Sequence, residues 1–180
     1  MSALIPRLQL VYFAVRARAE VPRMILEFGS IPYVDCPHSK YFDTSGWGES
    51  KAQTPFGQLP VLDVDGQALA QTGAIVRYCN SLVPELTPDD PFMAAKAESI
   101  YLTAEEMSRI DPLVNVYRGE KHAEIKAEYF SGVFPRLVSK IQQQIQSSGG
   151  PFTLGGKPHY GDLYVYHILS NALLVGERGG

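Results

Sequence analysis

Residues 55–78, PFGQLPVLDVDGQALAQTGAIVRY, constrain this chain more than any other stretch. Gly57-Gln58-Leu59-Pro60 reads as a turn, and Val61 to Val64 as a short strand. Asp65-Gly66 is a hairpin turn, which brings Ala68 to Ala70 back as a second strand. A helix then opens at Gln71-Thr72, with apolar Ala74, Ile75 and Tyr78 behind them. Two polar side chains therefore stand at a helix N-terminus beside a proline turn. The first N–H groups of a helix have no intrahelical acceptor and carry the positive end of its dipole. Such a place suits a small anionic peptide.

The segments around this one supply an order of elements. Leu8 to Phe13 (LQLVYF) reads as a strand, and Arg18 to Phe28 as a helix with Val21, Met24, Ile25 and Phe28 at helical spacing. Pro22 falls near the first turn of that helix, and Gly29 is a natural cap at its end. Ile31 to Cys36 reads as a second strand, so the chain opens β-α-β, with parallel strands expected. Pro37 to Thr54 is polar and irregular, with a short helix near Trp47 to Gln53. The order β-α-β-α-β-β-α is that of a thioredoxin-like α/β domain, expected over residues 1–82.

Pro84, Pro88, Asp89, Asp90 and Pro91 break the helical pattern, and residues 83–91 read as a linker. From 92 to 180 the chain reads as an all-α domain. Long helical patterns run from Phe92 to about Tyr117 and from about Ala123 to Gln146, with Pro112 and Pro135 expected to kink or interrupt them. A further helix runs from Asp162 to about Val175, with Leu163, Tyr166, Leu169 and Leu173 along one face.

Bulk properties exclude several functions. At 45% hydrophobic residues the 180-residue chain can bury a sizeable core. A net charge of -3 argues against a nucleic-acid partner, which needs a basic face. No segment approaches the ~20 apolar residues of a membrane span. The N-terminal MSALIPRLQLVYF lacks the apolar run and cleavage site of a secretory signal, so a reducing cytoplasmic setting is expected. Cys36 and Cys79 form no CxxC, and His38, His122, His159 and His167 show no paired ligand spacing, so no metal is expected. A dithiol redox protein is disfavoured, because the first strand–helix turn lacks a cysteine.

Three patches in order carry a resemblance over nearly the whole chain. They are Tyr12-Phe13 with Arg16-Ala17-Arg18-Ala19-Glu20, then Trp47 with Lys51, then Phe56-Gly57-Gln58-Leu59-Pro60 followed by Gln71-Thr72. Together they resemble the cytosolic glutathione S-transferases, most closely the tyrosine-type sigma class. The resemblance implies an enzyme that activates the glutathione thiol for attack on small hydrophobic electrophiles, with isomerase or peroxidase reactions as further possibilities. It also implies a homodimer that works in detoxification. The alternative on the same fold is a catalytically weak binding or structural protein.

The thiol chemistry can be read on its own terms. A thiol of pKa about 8.5 is only a few per cent thiolate at neutral pH. A hydrogen bond to a charged group is worth roughly 1.5–3 kcal/mol, or about one to two pKa units. Tyr12, at the end of the first strand, is placed to donate that bond. Leu10 to Glu20 contains no Ser, Thr or Cys for the corresponding role, although Tyr12 also reads as a packed strand tyrosine.

By the resemblance, Gln71 and Thr72 hold the γ-glutamyl carboxylate, though Thr72 also reads as a plain N-cap. Leu59 offers its backbone to the cysteinyl part, next to Gln58 and a Pro60 that the family turn makes cis. Trp47 and Lys51 hold the glycyl carboxylate, and Arg18 raises the positive potential near the sulfur. Glu105 and Glu106 resemble an acidic pair that contacts glutathione across the dimer, and also read as a solvated helix face. The electrophile pocket falls between Phe13, Arg18 and the helix carrying Met107. In places the chain departs from the family pattern. Ala17 replaces a common glycine; its methyl is expected to be tolerated, with crowding of the turn as the alternative. His159 replaces the hydroxyl residue that normally begins a capping box ahead of Asp162, so that helix is expected to nucleate less well. The chain stops soon after this helix, where the family usually adds more, so lower stability and a more open electrophile pocket are expected.

Overall fold

A computed structural model describes residues 5–112 and 121–176. The chain divides into two compact units, Met1–Pro84 and Glu85–Gly180. In the first unit β1 is Leu8–Tyr12, and a single 3-10 turn at Ala17–Ala19 leads into α1, Glu20–Phe28. Then follow β2 (Val34–Pro37), α2 (His38–Phe42), α3 (Trp47–Gln53), β3 (Val61–Val64), β4 (Gln67–Ala70) and α4 (Thr72–Ser81). The four strands form one sheet in the order β2-β1-β3-β4. The β1–β2 pair is parallel, and β1–β3 and β3–β4 are antiparallel. Leu8, Leu10, Val11, Val61 and Leu62 from the sheet are buried with Val21, Ile25 and Leu26 of α1 and Ile75, Val76 and Cys79 of α4.

The β3–β4 hairpin forms around Asp65-Gly66, whose φ angles of 51° and 87° are those of a turn with both central residues left-handed. Its carbonyl and amide neighbours are tied down locally. Asp63 accepts from the Gly66 amide at 3.0 Å and from the Tyr41 hydroxyl at 2.6 Å.

Two local readings change. The second strand begins at Val34, not Ile31, because Ile31 closes α1: its N–H donates to the Leu26 carbonyl at 2.8 Å, and Ser30 donates to Glu27 at 3.0 Å. This is a Schellman ending in which Ser30, at φ 52°, takes the left-handed position. Gly29 is required for a different reason. A side chain there would collide with Val83. The stretch 37–54 is more ordered than its polarity suggests, since α2 forms in it ahead of α3.

In the second unit, α5 is Pro91–Ile110, α6 His122–Glu128, α7 Phe134–Ser148 and α8 Tyr160–Gly176. Asp90 caps α5 by accepting from the Met93 amide at 2.9 Å, with Pro91 in the first turn. The helix ends at Ile110, since Asp111 before Pro112 is extended; the expected continuation to Tyr117 reaches positions 113–117, outside the described residues. The second long pattern is broken as Pro135 demands. A wide π turn at Tyr129–Val133 separates α6 from α7, which has proline in its first turn.

The buried face of α8 is Tyr164, Val165, His167 and Ile168, packed on α5 through Tyr101, whose ring lies 5.6 Å from Tyr160 and 5.4 Å from Tyr164. On the predicted face of Leu163, Tyr166, Leu169 and Leu173, Leu163 and Leu169 are only half-buried, while Tyr166 is 61% and Leu173 71% exposed. Apolar residues surround this helix, so spacing could not choose its buried side. Among the described residues no helix is long and apolar enough to cross a membrane.

Candidate functional site

The sheet register collects the first unit's chemistry at one end. The β1–β2 ladder ends at Tyr12–Pro37, β1–β3 at Val11–Val61 and β3–β4 at Val61–Ala70. Tyr12, Pro60 and Gln71 are therefore the residues that meet the same sheet edge on three adjacent strands, and His38 follows Pro37 there. Three of the residues expected in the site come together because of pairing between strands far apart in sequence.

Tyr12 is 6% exposed. Its hydroxyl accepts the Arg18 backbone N–H at 3.4 Å. Burial pushes the phenol above its ordinary 10.0, against the Arg18 amide and the charges of Arg18 and Arg23, which pull it down. The phenol is thus protonated at neutral pH, with its O–H available to donate. The 3-10 turn that presents the Arg18 amide starts at Ala17, whose φ is 38°. The turn tolerates the methyl, with alanine in the region glycine favours.

The Leu59–Pro60 peptide is cis. Leu59 lies beyond the Val11–Val61 end of the ladder, so its backbone is not part of the sheet pairing. Gly57 takes the left-handed backbone of the turn, at φ 65°, and the Lys51 stem lies beside it. Gln71 Nε2 donates to Gln58 Oε1 at 3.4 Å, which joins the turn to the start of α4.

Gln71 is the conformational outlier of the site, with φ 75° and ψ 120°. A non-glycine residue there costs of order 1–3 kcal/mol and points to a functional constraint. Nothing in the sequence signals it. Gln71 is the N-cap of α4 without a side-chain capping bond, and Thr72 is the first helical residue, so Thr72 is not the cap. The opening N–H groups of α4 have no intrahelical acceptor and carry the positive end of its dipole.

Trp47 begins α3, four residues before Lys51. Its ring stands edge-on to Phe13 at 5.4 Å and to His38 at 5.6 Å, and Phe13 contacts Tyr12 at 5.3 Å. His38 is a member of this cluster that motif reading missed, since its ring partners Phe13 and Trp47 lie on other elements. Arg23 was missed as well. It bridges Glu20 at 3.3 Å and Asp35 at 2.9 Å, while Glu20 also pairs with Arg16 at 3.0 Å. Glu20 thus engages Arg16 and Arg23.

Glu105, Glu106 and Met107 belong to the second unit. Glu105 pairs with Arg109 on its own helix at 3.4 Å. Glu106 and Met107 line an open groove of about 400 Å³ with Ile110, Val133, Arg136 and Leu137. Phe13 and Arg18 belong to the first unit. Among the described residues no group of three His, Cys, Asp or Glu side chains is placed to hold a metal.

His159 is buried, and it does begin a cap. Its Nδ1 accepts the Gly161 amide at 3.1 Å, and Asp162 accepts the His159 amide at 3.0 Å. Thr153 donates its hydroxyl to Asp162 at 2.7 Å and sits 2.8 Å from His159 Nε2. An imidazole nitrogen replaces the missing hydroxyl oxygen, so α8 is capped after all.

A thioredoxin-like unit with tyrosine at the end of its first strand, followed by a helical unit, defines a class of glutathione-using proteins. The family models for the glutathione S-transferase N-terminal domain and C-terminal domain match residues 8–81 and 108–178. The Caenorhabditis elegans protein named probable glutathione S-transferase 6 is 30% identical, over 94% of this chain and 84% of that protein. Human hematopoietic prostaglandin D synthase is 28% identical, over 94% of this chain and 81% of that protein. A crystal structure of monomeric Na-GST-3 from the hookworm Necator americanus superposes with a TM-score of 0.75 at 26% identity, covering 92% of this chain and 80% of that one. The chain belongs to the glutathione S-transferase family.

Proposed function

We propose that this protein is a glutathione transferase of the sigma-like, tyrosine type. The observation that carries the proposal is Tyr12: buried, protonated, and holding the Arg18 N–H on its oxygen so that its own O–H is left to donate. That O–H stabilises the glutathione thiolate, which attacks a small hydrophobic electrophile. Gln71 and Thr72 with the start of α4 hold the γ-glutamyl carboxylate. Leu59 offers its backbone to the cysteinyl residue, with Gln58 and Pro60 shaping the turn. Trp47 and Lys51 hold the glycyl carboxylate, and Arg18 adds positive potential near the sulfur.

Support for the sigma-like assignment is the likeness to a protein named prostaglandin D synthase. Isomerase and peroxidase side reactions are proposed with it, and Phe13 is proposed to line the electrophile site. The cytoplasm is the proposed compartment. The proposed assembly is a homodimer in which Glu105 or Glu106 reaches the partner's glutathione. Light scattering decides the last point, and a monomer mass removes it.

The deciding experiment is conjugation of glutathione to a generic aryl halide, run on the parent and on Tyr12→Phe. Activity that survives the substitution unchanged would sink the catalytic assignment. Failure of the parent to bind a glutathione resin would leave only the binding or structural reading of the fold.

A further inference from the structure

We infer that His38 is a positioning residue for the glycyl end of the glutathione site, acting through Trp47. The inference rests on the function proposed above. His38 is the first residue of α2 and follows Pro37, the register partner of Tyr12. Its ring lies 5.0 Å from Phe13 and 5.6 Å from Trp47, and those two rings are themselves 5.4 Å apart. Each pair crosses steeply, at 72° to 76°. Three rings in mutual edge-to-face contact leave the Trp47 indole one orientation, since turning it would press on both neighbours.

His38 is itself held from behind. Its Nδ1 is 2.9 Å from the Ser50 Oγ, and Ser50 is wholly buried on α3. Ser50 Oγ also lies 2.5 Å from the Thr44 hydroxyl and 3.2 Å from the Gly46 carbonyl, so the contact to His38 is part of a buried polar cluster. At the far end of α2, Tyr41 donates to Asp63 of β3 at 2.6 Å. α2 is thereby anchored to the sheet at Tyr41 and to α3 at His38. The indole N–H can only donate, so its use to a carboxylate depends on where the ring points. His38 sets that direction relative to Tyr12, one ring contact further on through Phe13.

The test uses His38→Ala, His38→Phe and Ser50→Ala in the full chain. Glutathione KM and kcat are measured with the aryl halide, alongside glutathione titrations followed by the fluorescence of Trp47, the sole tryptophan. His38→Ala is expected to raise KM roughly three- to tenfold with kcat within about twofold, and to shift Trp47 emission to the red. His38→Phe, which keeps a ring, should recover most of the affinity. An unchanged KM in His38→Ala overturns the inference, as does a fall in kcat alone. Should that variant not fold, an unchanged KM in Ser50→Ala overturns it instead. A parent that gives no glutathione-dependent fluorescence change and no conjugation removes the functional reading and this inference together, whereas a parent that binds as well as His38→Ala removes only this inference.

Discussion

The Arg18 amide donates to the Tyr12 hydroxyl across 3.4 Å, from a turn that begins at a left-handed Ala17. One geometric fact thus joins the proposed catalytic phenol to a strained backbone position five residues further on. The phenol oxygen accepts this N–H, and the proposed role uses the phenol's own O–H as the donor. The first two predictions follow from the two halves of this contact.

Tyr12→Phe removes the donor and leaves the fold. Loss of one charge-assisted hydrogen bond of roughly 1.5–3 kcal/mol should lower kcat about ten- to a hundredfold. The pH–rate profile should move up by about one to two units as the bound thiol regains its ordinary acidity. A variant profile superimposed on the parent's would show that Tyr12 does not set the thiol pKa.

Ala17→Gly should stabilise the protein. A left-handed L-residue costs roughly 1–2 kcal/mol, and the greater freedom of glycine in the unfolded chain returns part of that. A net gain of about 0.5–1 kcal/mol is expected, or a melting temperature higher by roughly 1–4 °C. A lower melting temperature would mean that the Ala17 methyl makes contacts worth more than the strain.

Gln71→Ala should weaken glutathione binding while leaving the fold intact. The outlying φ of 75° persists for alanine, but the amide that meets Gln58 is gone. Losing a hydrogen bond to a carboxylate predicts a KM about tenfold higher or more. Isothermal titration with glutathione checks this, and an affinity equal to the parent's would reassign Gln71 to a purely structural part.

The His159 cap predicts a particular pH dependence. Its Nδ1 accepts an N–H, which a protonated ring cannot do. Burial holds its pKa below the ordinary 6.5, with the Asp162 charge opposing from within the same cap. The unfolded chain therefore binds more protons in this range, and stability rises with pH. The contribution is complete above about 6.5, the unfolded value, and is lost as pH falls from there toward the depressed folded value. His159→Ser restores an uncharged cap, so its melting temperature should fall less than the parent's between pH 7 and 5.5. Parallel curves would assign the acid sensitivity elsewhere.

Much of the first unit was legible because its signals are local. The Asp65-Gly66 turn demands left-handed backbone, and the Gly57–Pro60 turn leads directly into the strand Val61–Val64. Patterns failed where burial depends on a distant neighbour. Ile31 looked like strand, yet its N–H was needed to close α1. The stretch after Pro37 looked irregular, yet Tyr41 found Asp63, and α2 formed. In α8 the spacing of Leu163, Tyr166, Leu169 and Leu173 was sound helical spacing for the wrong side, since the neighbour that decides burial is α5.

The same division holds for the site. Residue identity alone nominated the groups proposed for the chemistry: a phenol at the end of the first strand, an amide and a hydroxyl at a helix start, a tryptophan and a lysine four apart. These are properties of side chains and of short-range periodicity. Tertiary pairing decided the rest. The register of β1, β3 and β4 brings Tyr12, Pro60 and Gln71 to one edge. Packing turns His38 from an ordinary histidine into the third ring beside Phe13 and Trp47. A nitrogen on His159 replaces a missing hydroxyl only because Gly161, Thr153 and Asp162 converge on it. Such contacts join positions whose proximity depends on how strands and helices pack, and no local pattern in the chain encodes that.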